Sequence, residues 1–129
     1  MHESPPSALV VAQRVRNRVI EYLESVVSYQ SDPPAFDLNE LLNQWSDWVP
    51  DQVTLSAFPH PTYSAREAEL LVAIGVEWND LCQATPKTIS DEVAVLELPE
   101  WREFCAAAQH ALLELTVRGR LSESQEAFQ

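Results

Sequence analysis

The chain has 129 residues, 46% of them hydrophobic, with nine prolines, two glycines and a net charge of −12 from twenty acids against eight bases. That length suits one domain, here read as 1–129, which buries roughly two-thirds of its unfolded surface. The apolar content excludes a mainly disordered chain, the absence of any apolar run near 18 residues excludes a membrane span, and the acidity argues against phosphate-rich partners.

The prolines divide the sequence. Proline inside a helix removes a hydrogen bond and clashes with the preceding turn, so it collects at first turns and connections. Pro5-Pro6, Pro33-Pro34, Pro50, Pro59, Pro61, Pro86 and Pro99 therefore mark the ends of helical runs. Residues 1–6 are read as a frayed tail. Ser4 or Ser7 caps a first helix, whose Ala8, Ala12, Val15, Val19, Tyr22, Val26 and Tyr29 recur at three- and four-residue steps as one apolar stripe. Arg14 and Arg18 share a face of this helix and Arg16 turns away, so the three make no continuous basic stripe. Arg18 has the spacing to pair with Glu21.

The second run starts at Asp37, which with Glu40 resembles a capping box. Leu38, Leu41, Trp45 and Trp48 form its apolar stripe; Glu40, Asn43, Asp47 and Asp51 form an acidic edge, and Pro50 closes it. Between Val19 and Ala65 there are seven acids and no lysine or arginine. Residues 51–62 read as a covering loop or short helical turn, with Pro59-His60-Pro61 extended. The third helix opens with the capping box Ser64/Glu67, preceded by Tyr63 at the staple position. It is apolar around most of its circumference, so it reads as central, and Gly75 as a point where another helix comes close.

Thr85-Pro86 begins a short element, with Ile89, Val93 and Leu96 at helical spacing. Pro99 opens the last helix, striped by Trp101, Phe104, Ala108, Leu112 and Leu115. Glu114 and Arg118 are spaced as an ion pair, and Gly119 is a suitable terminator. Residues 121–129 are polar enough to fray. The expected class is all-α: a bundle of four long helices plus one or two short ones. The alternative is an α+β domain in which 53–58 and 93–98 pair as a hairpin, because Val53, Leu55 and Ala57 alternate with Thr54 and Ser56 and the stretch 93–98 is rich in branched residues.

Recognisable chemistry is sparse. His2, His60 and His110 fall in no metal-ligand spacing, and Ala107 stands where a Glu-x-x-His motif would need its glutamate. Cys105 and His110 point about 140° apart on one helix, so they form no local dyad. Cys82 and Cys105 read as reduced, buried thiols, which suits the cytoplasm. The pairs Glu21/Glu24, Glu77/Asp80 and Glu100/Glu103 sit at helical spacing and read as solvated faces rather than acid–base dyads. No catalytic residue, cofactor site or metal site is assigned.

Two functions are consistent with this pattern. The first is a non-catalytic protein-binding module, of the inhibitor, immunity or chaperone kind, that covers a basic protein partner and binds neither nucleic acid nor membrane. Glu40, Asp47, Trp48 and Asp51 are its candidate contacts, because an aromatic anchor beside carboxylates suits a cationic surface. The second is a small-molecule binder or enzyme with a pocket inside the bundle. The apolar third helix is also compatible with a symmetric homodimer.

Overall fold

A computed structural model describes residues 5–50 and 53–127. They form five helices: α1 (Ala8–Ser28), α2 (Leu38–Trp48), α3 (Ala65–Ala84), α4 (Glu92–Leu96) and α5 (Pro99–Arg118), with a 3-10 turn over Leu55–Ala57. The bundle expected from the sequence is the one observed. The hairpin is not: of its two stretches, one holds the 3-10 turn and the other lies largely in α4, and no strand occurs among the described residues. Their backbones bond locally instead: the Ala57 and Phe58 amides donate to the Thr54 and Leu55 carbonyls, and the Val95 and Leu98 amides to the Asp91 and Val95 carbonyls.

Side chains set the helix starts. Ser7 accepts from the Val10 amide at 3.2 Å, Asp37 from Glu40 at 3.0 Å, and Asp91 from Ala94 at 3.2 Å. Ser64 and Glu67 close the reciprocal capping box that begins α3. The short helix therefore starts at Glu92, later than Thr85-Pro86 suggests, and Ile89 is a buried loop residue. Pro59–Tyr63 is a turn rather than extended chain, closed by the Tyr63 amide on the Pro59 carbonyl at 3.1 Å, with a cis His60–Pro61 bond. Gly119 caps α5 at φ 73°, a conformation that favours glycine.

The helices α3 and α5 pack antiparallel as the central pair, and α1 lies against α5. Trp45, Trp101, Phe104, Leu23, Leu71, Ile74, Leu81 and Leu115 are buried in one continuous core. Trp101 meets Tyr29 edge-on at 6.0 Å and donates its indole N–H to Gln30 at 3.3 Å.

A charged group also lies inside. Arg16 has no exposed surface and Glu67 is 2% exposed. The Arg16 guanidinium donates to Glu67 Oε2 at 2.9 Å, to the Leu115 carbonyl at 3.0 Å and to the Gly119 carbonyl at 2.6 Å. Arg118 donates to both Glu67 oxygens and to the Pro61 and Thr62 carbonyls. This cluster joins α1, α3, α5 and the 58–63 turn at one end of the bundle. Burial alone would raise the Glu67 pKa, but hydrogen bonds from Arg118, Arg16 and the Ser64 amide outweigh it and hold the carboxyl below its ordinary value.

A lowered folded pKa stabilises the fold above the unfolded value and loses that contribution as pH falls through the folded one. Glu67→Gln should therefore destabilise the protein by about 3 kcal/mol at pH 7, because it leaves Arg16 buried without its counter-charge. Urea unfolding should show this gap constant from pH 7 to about pH 5, then narrowing below the ordinary carboxyl value of 4.5. A gap that widens on acidification would contradict the assignment.

Candidate functional site

Among the long helices the second has a single main neighbour. It packs on α1, where Trp45 meets Tyr22 with ring centroids 5.9 Å apart, and it makes few contacts with α3. Three hydrogen bonds span the α2/α3 side. Trp78 donates its indole N–H to the Leu42 carbonyl at 2.8 Å. Asn39 donates to the Ile89 carbonyl at 3.0 Å and accepts from the Ile89 amide at 2.8 Å. Glu92 adds a fourth tie to the start of α2, accepting from the Leu38 amide at 2.9 Å and from the Tyr29 hydroxyl.

The result is a cleft with an open groove at each end. The larger, about 310 Å³, is walled by Trp45, Val49, Val53, Val76 and Trp78, with Gly75 at its base. The smaller, about 150 Å³, lies beside Asn39, Asn43 and Cys82. Gly75 is there because a side chain would collide with Val53, not with a helix. A Cβ at that position would stand 2.9 Å from the Val53 Cβ.

The candidate contacts fall in three places. Glu40 and Asp47, seven residues apart, are exposed on the outer ridge of α2, and neither makes an ion pair among the described residues. Trp48 is half-buried on the opposite flank, in a groove of about 130 Å³ with Arg18, Glu21, Phe36 and Gln44. Asp51 lies outside the described residues. The ridge thus has an aromatic-walled groove on each side, and the sequence reading reached only the Trp48 side.

Charge is unevenly distributed around this helix. Six of the eight bases, Arg14, Arg16, Arg18, Arg66, Arg118 and Arg120, belong to the end where Arg16 meets Glu67 or to the segment that follows α5. From Glu77 to Glu103, by contrast, seven acids accompany only Lys87 and Arg102. The helix α2 has no base at all. On the α3/α5 surface the Glu77 carboxyl is pushed up, first by burial and then by the charges of Glu103 and Asp80. The Glu100 Oε2 nearby is buried with no hydrogen-bond partner among the described residues.

Reactive groups are not gathered into a dyad. Cys82 and Cys105 are free and half-buried, and burial raises both thiols, Cys105 to about 12. Such thiols are poor nucleophiles at neutral pH. His110 is exposed on α5. The Tyr22 hydroxyl and the Trp45 indole N–H are buried without partners. Burial, with the nearby thiols of Cys82 and Cys105, raises Tyr22 well above its ordinary value. Among the described residues no group of three or more His, Cys, Asp or Glu side chains is placed to hold a metal ion, and no helix is long and apolar enough to cross a membrane.

The chain matches no protein-family model, and comparison with curated proteins and with solved structures finds no similar protein.

The base of the larger groove gives a direct check. Gly75→Ala gains about 1 kcal/mol of helix propensity but overpacks against Val53, which costs about 1–3 kcal/mol. The net expectation is a lower melting temperature. Adding Val53→Ala to Gly75→Ala should restore stability to the level of Val53→Ala alone or above. If Gly75→Ala melts higher than wild type, the connection does not press on α3 there.

Proposed function

We propose that the protein is a non-catalytic interaction module that presents the outer ridge of α2 to a basic protein partner. The observation that carries this reading is the contrast in pairing. Arg16, Arg18, Arg66, Arg118 and Arg120 are joined to carboxylates, whereas Glu40 and Asp47 stand exposed on the ridge with no cation among the described residues. Unpaired carboxylates keep their field in solution, which steers a cationic partner and speeds its association. Trp48 and Trp78, half-buried on the two sides of α2, supply apolar contact once the partner has arrived. This logic is that of inhibitors and chaperones that cover a basic surface.

A second reading is supported by the larger groove. Its volume of about 310 Å³ is at the lower end for small-molecule sites, and Trp45, one of its walls, has an unpartnered N–H. Native mass spectrometry of the purified protein separates the two: a co-purifying small molecule favours the groove as a ligand site.

The test of the first reading uses a helical peptide rich in lysine and arginine with one apolar face, followed by tryptophan fluorescence. The triple variant Glu40→Ala, Asp47→Ala, Asp51→Ala should slow capture about 10-fold at low salt, with the difference shrinking as ionic strength rises. The charge-matched triple Glu69→Ala, Glu114→Ala, Glu126→Ala should behave nearly as wild type. Equal losses in both triples would show that net charge alone attracts the peptide and that the ridge is not the contact.

A further inference from the structure

The segment after α5 has almost no apolar anchorage, yet it is fixed in place. Of residues 120–127 all but Leu121 are exposed. The hold comes from polar side chains of α1. Gln13, with no exposed surface, donates to the Ser122 carbonyl at 2.7 Å and the Gln125 carbonyl at 2.8 Å, and accepts from the Ala127 amide at 2.8 Å. Asn17, 1% exposed, donates to the Leu121 carbonyl at 2.8 Å and accepts from the Leu121 amide at 2.9 Å. Arg14 donates to the Glu123 carbonyl at 2.7 Å. A primary amide that donates and accepts in this way matches a peptide group whatever its side chain.

Two ionic sockets flank these amides. Arg18 and Asn17 hold the Glu123 carboxylate, and Glu21 and Glu24 hold the Arg120 guanidinium at 2.6 and 2.9 Å. The Ser122 hydroxyl accepts from the Ser124 and Gln125 amides, which shapes the bend between them. Gly119, at φ 73°, separates this strap from the end of α5.

We infer that this face of α1 is a receptor for a bent peptide segment carrying Arg-x-x-Glu, that residues 119–127 are its resident occupant, and that the same segment of a second copy of the chain takes its place in trans. The reasons are physical. The buried side chains of Gln13 and Asn17 direct their hydrogen bonds to this segment, so the α1 face is built for it. The contacts are polar and the strap's own side chains are mostly exposed, so the strap opens locally at less cost than the core. The tether gives the resident strap an effective concentration of the order of millimolar, which ordinarily excludes the second copy. Exchange between identical segments is the usual low-cost route to a swapped pair.

The experiment uses the full chain and a fluorescein-labelled peptide with the sequence of residues 119–129, standing for the segment of the second copy. Arg120→Glu with Glu123→Arg in the chain spoils the resident strap and leaves α1 unchanged. Fluorescence anisotropy should then show labelled peptide binding about 10-fold tighter than to wild type. Adding Gln13→Ala and Asn17→Ala to that chain should remove the binding. A labelled peptide carrying the same charge exchange should also fail to bind the opened chain. Absence of binding to a folded, opened chain would overturn the inference, as would equal binding of the two peptides.

Hydrogen exchange on wild type keeps the inference falsifiable if the opened chain does not fold. The Leu121 and Ala127 amides should be protected but exchange well before those of Phe104 and Ala108 in α5. Exchange of all four only through global unfolding would show that the strap does not separate from the fold, and the inference would fall.

Discussion

The buried contact between Arg16 and Glu67 organises the molecule. Removing two opposite charges from water costs several kcal/mol per ion, so such a pair persists only where its remaining donors and acceptors are satisfied. Here almost all are. Glu67 receives Arg16, Arg118 and the Ser64 amide, and Arg16 reaches two backbone carbonyls besides, leaving only its Nε without a partner. Helix ends strengthen the arrangement. Glu67 lies in the first turn of α3, where free amides favour an anion, and Arg16 meets the last carbonyls of α5, where a cation is favoured. One contact thereby fixes the antiparallel alignment of α3 and α5 and the axial position of α1 against both.

That alignment has an electrostatic consequence for the rest of the surface. The arginines of this end are occupied with carboxylates and carbonyls, including Arg18 with Glu21 at 3.3 Å and Arg66 with Glu69 at 3.5 Å. The remaining acids have few cations to meet. They accumulate along α2 and over the second half of α3 and the first half of α5, close enough that Glu77 is raised by Glu103 and Asp80. The polarity of the molecule thus follows from where its bases are used in folding.

The pattern of prolines and apolar stripes was enough to locate four long helices, because both signals are local. The Ser64/Glu67 box was legible for the same reason, since it needs only three residues of separation. The second role of Glu67 was not, because its cations stand 51 residues away in either direction. Arg16 was correctly turned from the Arg14/Arg18 face, but nothing in its spacing says that the other face meets a carboxylate inside the core. Gly75 read as a close approach, and it is one, yet the approaching group is a valine in a connection with no periodicity. The polar tail read as loose by composition, since composition registers apolar burial and not amides aligned with amides. On α2 the acidic ridge and Trp48 were visible in the stripe, while the Trp78 wall depends on tertiary packing alone.

The strap and the acidic ridge meet at Arg18 and Glu21. Both line the groove beside Trp48, and both are engaged by the segment after α5, Arg18 by Glu123 and Glu21 by Arg120. Within the chain, Arg120 occupies the place that a partner's arginine would take at that groove. A basic partner on α2 that reached Glu21 would compete with Arg120 for the same carboxylate, and its binding would favour the open strap. Linkage makes the relation reciprocal: an open strap takes Arg120 from Glu21, leaving only Arg18 beside that carboxylate, and so frees it for the partner. The two proposals, made from different residues, are therefore coupled through one shared carboxylate.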